Sequence, residues 1–435
     1  MKNLRITIIL GLYRAISSLL WPIFYLYLYY WQRKGPVENY RKYERLGKAT
    51  ILRPSGVLVW FHAASVGETA ALVPLINIMH ARSIHVLLTT TTASSAKFAY
   101  YHLKDKVIHQ YAPFDIPMIM EGFLDYWRPE LAFSCESEIW PARILELKKR
   151  RIPQILVNGR ISEKSYQQWQ KLPAIASYIF SKFDLIISQT EEDTAKYYNL
   201  GAGLVKTAGN LKAEAAPICD EEEVAIYKEN LKKRLSWAAI STHEGEEELI
   251  IKIHQSLKKK LPNLFTIIVP RHLEHVEAIV KNLAGEGLKA VRKSTKEPIE
   301  AHTDILLGDT IGEMGFYLRL AEIIFVGKSL KVKGGHNPLE PAILSKAIIS
   351  GPHVENFSNI YKSLEENKAV FIVEDHERLE KIIENLFKNK NLLRESQENA
   401  YQTAIKFKGA LDKTIKILEP FLEPITMQAK LRKNR

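Results

Sequence analysis

From residue 57 onward the chain alternates short, unbroken apolar runs with longer segments in which apolar residues return every three or four positions. The first pattern predicts strands and the second helices. Strands are predicted at 57–62 ("VLVWFH"), 84–90 ("IHVLLTT"), 131–135, 154–158 and 184–188, and again at 236–241, 264–269 ("LFTIIV"), 303–307, 323–327 ("IIFVG") and 347–350. Unbroken apolar strands separated by helices are the pattern of βαβ units, whose parallel sheets are covered on both faces. Two series of strands therefore predict two doubly wound α/β domains. The stretch "GNLKAEAAP" at 209–217, rich in small residues, is the predicted boundary, and the basic tail from 424 ("PITMQAKLRKNR") is predicted to fray. The sequence has no repeat of solenoid period.

The first residues follow a different pattern. Residues 15–31, "AISSLLWPIFYLYLYYW", are 17 uncharged residues of which seven are aromatic. That length is at the lower limit for a membrane-spanning helix, and the aromatics favour the headgroup interface. No small-residue cleavage site follows, so a signal peptide is not predicted. Residues 1–50 carry nine Lys/Arg and two Glu, +7 of a total formal charge of +12. Placed beside an apolar segment, that charge predicts contact with anionic lipid headgroups rather than with nucleic acid. An apolar fraction of 46% over 435 residues excludes a disordered or fibrous chain. Two cysteines, Cys135 and Cys219, are too few for a disulfide framework and point to a reducing compartment.

In doubly wound sheets ligands bind beyond the carboxyl ends of the strands, and the unusual sequence lies there. After the first strand comes "AASVGE". Its small residues let another molecule approach the backbone. Ser65 and Glu68 have the spacing of a capping box, S-x-x-E, and Glu68 is equally a candidate general base. The third strand ends in "CESEIWP", placing Glu136 and Glu138 at its exit; if the strand continued, the two would share a face. In the second series, "STHEGEEE" offers Ser241 or Thr242 as a cap to a helix with an acidic first turn. "PRH" supplies Arg271 and His272 as anion donors. "IGE" sets Gly312 and Glu313 in a turn, and "GGHNPLEP" puts two glycines, His336 and Asn337 ahead of a helix begun by proline, with Glu340 placed to accept from a ribose diol. Neither G-x-G-x-x-G nor a Walker motif is present, and there is no D-x-D, so no metal site and no cofactor are expected.

The blocks "FHAASVGE", "SCESEIWP", "VNGRISEKS", "GNLK", "STHEGEEE", "VPRH", "GDTIGEM", "GGHNPLEP" and "GPHVENF", in that order, resemble the signature segments of the 3-deoxy-D-manno-octulosonic acid (Kdo) transferases of lipopolysaccharide inner-core synthesis. The resemblance runs from about residue 35 to 410 and implies a GT-B fold, two Rossmann-like domains facing a cleft. It implies a membrane anchor at 1–34, an acceptor domain at 35–212 and a CMP-sugar donor domain at 213–420. The donor would be CMP-Kdo, the acceptor lipid IVA, and the location the cytoplasmic face of the inner membrane. By the same resemblance Glu68 would be the catalytic base, with Glu136 and Lys212 assisting; from spacing alone Lys212 reads equally as a solvated lysine. Pro270, Arg271 and His272, then Ile311, Gly312 and Glu313, then Gly335, Asn337, Pro338, Leu339 and Glu340 would contact CMP. Two positions depart from the family pattern: Lys328 of "VGKSL" stands where a second glycine is usual, and Ala213-Glu214 replaces an aromatic and Asp. Other readings are a GT-B transferase with a different nucleotide sugar, separable by donor assay, and a membrane-bound nucleotide-binding module, which would tolerate loss of Glu68. A nucleic-acid-binding protein would bind in a salt-sensitive way.

Overall fold

The structure is a computed structural model that describes residue 11 and residues 41–214, 217–231 and 234–433. The predicted anchor segment, 1–34, lies outside the described residues apart from residue 11. Among the described residues no helix is long and apolar enough to cross a membrane.

The chain forms two compact units. One comprises the described parts of Met1–Glu214 and Gly409–Arg435, the other that of Ala215–Lys408. Each is built on a seven-stranded parallel sheet. In the first unit the strands are β1 (Leu58–Ala63), β2 (His85–Thr90), β3 (Ile108–Tyr111), β4 (Leu131–Cys135), β5 (Gln154–Gly159), β6 (Leu185–Ser188) and β7 (Val205–Thr207). Their order is β3-β2-β1-β4-β5-β6-β7. The second unit contains β8 (Leu235–Thr242), β9 (Leu264–Pro270), β10 (Ala290–Arg292), β11 (Ile305–Leu307), β12 (Ile323–Val326), β13 (Ala347–Ser350) and β14 (Val370–Ile372), in the order β10-β11-β9-β8-β12-β13-β14. All ten predicted strands are present. The four unpredicted ones, β3, β7, β10 and β14, are the outer strands of the two sheets. They are three or four residues long; β3, β7 and β10 lack a continuous apolar run, because an edge strand is covered less completely than a central one, whereas β14 is apolar throughout but short.

The central strands show why the sequence was legible. Every residue of β1 and of β4 is buried, since helices pack on both sides of the sheet. Phe61 and Phe133 stack at 4.5 Å within one core that also takes Leu72, Leu75, Ile76 and Leu88. The order of strands reverses between β1 and β4 in the first sheet and between β8 and β12 in the second. The loops leaving these strands therefore diverge to opposite faces and open a crevice at each switch point.

The end of the chain corrects two expectations. Residues from Gly409 do not belong to the second unit, and the tail does not fray. Ala410–Lys433 is a 24-residue helix that returns to the first unit and packs on the helix Val66–Ala81. Leu418, Leu422, Ile425 and Ala429 enter the same core as Phe61. Their spacing of four, three and four is a buried helical seam. Pro420 and Pro424 interrupt the sequence pattern without ending the helix. The Leu411 N–H donates to the Glu214 carboxylate at 2.9 Å, and Arg82 pairs with Glu419 at 3.1 Å, fixing the helix at two points.

Truncating this seam tests its place in the fold. Leu422→Ala, at a site with no solvent exposure, is expected to cost about 2–4 kcal/mol. In denaturant melts only the transition of the first unit should move.

Candidate functional site

Backbone strain marks where the polar loops converge. A non-glycine residue with positive φ is uncommon and costs roughly 1–3 kcal/mol, and such residues gather at functional sites. Glu136 (φ 56°), Asn158 (φ 52°), Ser241 (φ 53°) and Lys328 (φ 58°) all lie at or just beyond the carboxyl ends of central strands, those of β4, β5, β8 and β12.

In the first unit the three residues expected to share the chemistry come together. Ser65 caps the helix Val66–Ala81, its hydroxyl accepting the Glu68 N–H at 3.3 Å. The Glu68 carboxylate turns back and accepts the Ala64 N–H at 2.7 Å and the Ser65 O–H at 3.2 Å. The capping box and the candidate base are thus the same group. Glu136 forms an ion pair with Lys212. Lys212 lies over Gly67, where a Cβ would come within 3.6 Å of its Nζ. Burial, and then the neighbouring charge of Glu136, push the Glu68 pKa up to about 7, against the opposing pull of the Ala64 N–H and of Lys212. For Lys212 burial acts downward, but the Glu136 carboxylate outweighs it and the pKa is raised, so the lysine is held charged.

Lys212 reaches this place by a route that spacing does not reveal. It sits after β7, at the edge of the sheet, yet the chain returns to the middle. Asn158, in its left-handed conformation at the end of β5, is the tie. Its Oδ1 accepts the Leu211 N–H at 2.9 Å and its Nδ2 donates to Glu136 at 3.5 Å. Asn210 caps the single turn that carries Lys212. Ala213 is buried and Glu214 is held by Leu411, so the departures from the family pattern leave this turn packed.

Glu138 does not share a face with Glu136, because the strand ends at Cys135 and Glu136 turns the chain. Glu138 instead receives the His62 Nε2–H at 3.0 Å and the Trp140 indole N–H at 2.5 Å. A carboxylate only accepts, so His62 carries its proton on Nε2, and its Nδ1 accepts from Thr89 at 2.9 Å. Thr89 in turn accepts from the Trp60 indole. Burial, followed by the charge of Arg143, lowers the His62 pKa, so the ring is neutral. Burial alone would raise the Glu138 pKa, but the hydrogen bond from His62, the charge of Arg143 and the hydrogen bond from Trp140 outweigh it and lower it. Glu138 is a fixed negative charge beside Glu68.

In the second unit the predicted donor residues lie on loops at the carboxyl ends of the strands. Pro270 closes β9, and Arg271 and His272 follow it, exposed, with the Arg271 N–H on the Thr242 carbonyl at 2.9 Å. The His272 ring is 5.1 Å from that of His243, and the His243 and His336 rings stack at 5.4 Å. Burial, then the charge of Arg271 and the nearby His243 and Lys328, lowers the His336 pKa to about 3. Ile311 is exposed, Gly312 has φ 85°, and Glu313 precedes the helix Met314–Leu320. One buried carboxylate oxygen of Glu313 and the buried Nδ2 of Asn337 have no partner among the described residues. Gly335 has φ 68°; Asn337 Oδ1 accepts the Leu339 N–H at 3.1 Å; Pro338 precedes the five-residue helix Leu339–Ile343, with Glu340 in its first turn. Leu339 is buried and belongs to the core beneath this turn.

The expected cap is corrected. Ser241 and Thr242 remain in β8, and Gly245, at φ 86°, precedes the helix Glu246–Lys260. Glu246, buried, instead accepts the N–H groups of His243, Lys328, Ser329 and Leu330 at 2.8–3.2 Å, locking the loop after β12 onto the loop after β8. This clamp, like Asn158, His62 and Arg143, escaped sequence reasoning. Only Asn158, in an Asn-Gly pair, carried a turn signal.

Residues 40–215 match the family model described as "3-Deoxy-D-manno-octulosonic-acid transferase (kdotransferase)". The chain is 34% identical to the 3-deoxy-D-manno-octulosonic acid transferase of Rickettsia bellii, over 95% of this chain and 98% of that protein. The chain belongs to the Kdo transferase family. It is 32% identical to the Haemophilus influenzae 3-deoxy-D-manno-octulosonic acid transferase, over 94% of this chain and 98% of the relative. A Staphylococcus aureus MnaA–UDP structure covers 84% of the chain, and 97% of its own, at 12% identity with a TM-score of 0.59, a likeness of fold alone. The enzyme is thus a glycosyltransferase of GT-B fold, and the loops above are those of a Kdo transferase.

Glu68 makes a stability test possible. A carboxyl whose pKa is raised on folding binds its proton more tightly in the native state, so stability is lost as pH climbs from about 4.5 to about 7 and stays lost above. Glu68→Gln keeps an acceptor for Ala64 and removes the charge. It is expected to be more stable than wild type at pH 8.5, by at most about 3 kcal/mol, and to differ little at pH 4, as read by thermal melts.

Proposed function

We propose that this Kdo transferase transfers Kdo from CMP-Kdo to lipid IVA with inversion, without metal, and with Glu68 as general base. The reading rests chiefly on one observation. A half-buried carboxyl with a pKa raised to about 7 stands at the carboxyl end of the first sheet, next to small residues and between a fixed negative charge and a lysine. Such a group is half-ionised at neutral pH and suited to take a proton from a hydroxyl.

The acceptor hydroxyl loses its proton to Glu68 as its oxygen bonds to the anomeric carbon of Kdo. The bond from that carbon to the phosphate oxygen of CMP breaks, and attack from the opposite face inverts the centre. Positive charge grows on the sugar and negative charge on the leaving phosphate. Glu136 supports the sugar and Lys212 the developing negative charge. Arg271 and His272 would hold the phosphate, while the free polar atoms of Glu313 and Asn337 suit the nucleoside. The basic, aromatic N-terminal segment would keep the enzyme on the cytoplasmic face of the inner membrane, against anionic lipids, where a lipid acceptor is met.

Product mass from purified protein given lipid IVA and excess CMP-Kdo tests the reaction. Wild type is expected to add whole Kdo units and Glu68→Ala to lose about 10²–10⁴ in rate. No transfer by wild type with CMP-Kdo, but transfer from another nucleotide sugar, would overturn the donor assignment. The pH profile tests the base. kcat/KM should fall on the acid side with an apparent pKa near 7. Glu136→Gln, which removes the neighbouring negative charge and leaves Lys212, should move that limb to lower pH; a limb that stays in place would remove Glu68 from the role.

A further inference from the structure

The exit of β4 carries a feature that proton transfer does not use. Trp140 is 46% exposed, whereas Trp60, Trp127 and Trp237 are buried and Trp169 is half-buried against Phe180. A large aromatic is normally withdrawn from water, and one left exposed and rigid beside reactive groups marks a contact surface. Trp140 is rigid on several counts. Its indole N–H is fixed on Glu138 Oε2 at 2.5 Å. Pro141 follows it and confines its backbone to the extended region. Asp115 accepts the Ala142 and Arg143 N–H groups at 2.9 and 2.7 Å, pinning the turn from the side of another loop. The Arg143 guanidinium donates to the Glu138 carbonyl.

Glu138 is the second half of the feature. Both of its recorded bonds, from His62 and from Trp140, fall on Oε2; Oε1 takes none among the described residues. The result is an aromatic face with a free carboxylate oxygen at its edge, both held in place before any ligand arrives. A pyranose ring fits that chemistry, because its C–H face is apolar and packs on an indole while its hydroxyls donate to a carboxylate. The same carboxylate, with Glu68 and Glu136 nearby, repels phosphate and so selects the hydroxyl-bearing edge of a phosphorylated sugar.

We propose that Trp140 and Glu138 form the acceptor-sugar subsite, stacking and orienting the sugar ring whose hydroxyl faces Glu68. This rests on the reading of Glu68 as base and adds the residues that determine which acceptor is presented to it. Trp140 touches the sugar. His62 and Thr89 are positioning residues that aim Glu138.

The test uses the full-length enzyme and the variants Trp140→Ala and Trp140→Phe. With lipid IVA in detergent, Trp140→Ala is expected to raise the acceptor KM about tenfold, the range of one aromatic contact, and to leave the CMP-Kdo KM unchanged. Trp140→Phe, which keeps a ring, should stay within about threefold of wild type. Binding is read independently of turnover by titrating a bisphosphorylated glucosamine disaccharide without acyl chains. It should quench part of the tryptophan fluorescence of wild type and none of that part in Trp140→Phe. Co-sedimentation with vesicles of phosphatidylethanolamine and phosphatidylglycerol should be the same for all three proteins. An unchanged acceptor KM together with no Trp140-dependent quenching would overturn the subsite even if wild type transfers Kdo. Loss of vesicle binding in Trp140→Ala with an unchanged KM in detergent would overturn it in favour of a lipid-surface contact. Quenching in a protein that transfers no Kdo would uphold the subsite while the donor or acceptor assignment fails.

Discussion

The ion pair between Glu136 and Lys212 joins two parts of the chain that have no local reason to meet. Glu136 leaves the middle of the sheet, and Lys212 comes from the last turn before the chain crosses into the second unit. The pair lies mostly out of water, and charges so placed are costly unless matched. Matching them requires the β5–Asn158 tie, the turn capped by Asn210 and the open space over Gly67. Once they are matched, Glu68 is left as the third charge in a crowded place. Its raised pKa follows from burial and from Glu136 without any further device. The proposed base is therefore a by-product of how the chain closes its first unit.

The same logic of fixed charge governs Glu138. Two carboxyl groups stand within electrostatic reach of Glu68, and they differ in what holds them. Glu136 is neutralised by a lysine. Glu138 is held ionised by hydrogen bonds from a neutral histidine and an indole, and by the charge of Arg143. One is balanced by a lysine and the other is a permanent hydrogen-bond acceptor. The second unit shows the complementary pattern. Arg271, Lys328 and three histidine rings gather on the loops after β8, β9 and β12, and the nearest buried carboxylate, Glu246, is spent on four backbone N–H groups. Among the described residues Arg271 and Lys328 form no ion pair with a carboxylate, and positive side chains so placed suit an anionic ligand.

Much of this was legible. The ten central strands declare themselves because both faces are buried, which demands unbroken apolar runs. Three of the four edge strands did not, since exposure relaxes that demand, and the fourth, β14, is apolar but only three residues long. Glu68, Glu136 and Lys212 were named from blocks of sequence, and they do lie together. The residues that hold them, Asn158, His62, Arg143 and Thr89, were not, because each acts through a contact with residues distant along the chain.

The amino-acid sequence by itself determined the parallel α/β architecture, its division into two units and the loops in which polar groups would concentrate. These are consequences of local patterns, a few residues long, that burial imposes directly. Only the tertiary structure decided that Glu136 and Glu138 part company at a left-handed turn, that Lys212 returns from the sheet edge to the centre, and that the last helix folds back on the first unit. Each of those outcomes depends on which distant groups satisfy a buried charge or complete a core. No periodicity in the sequence encodes that choice.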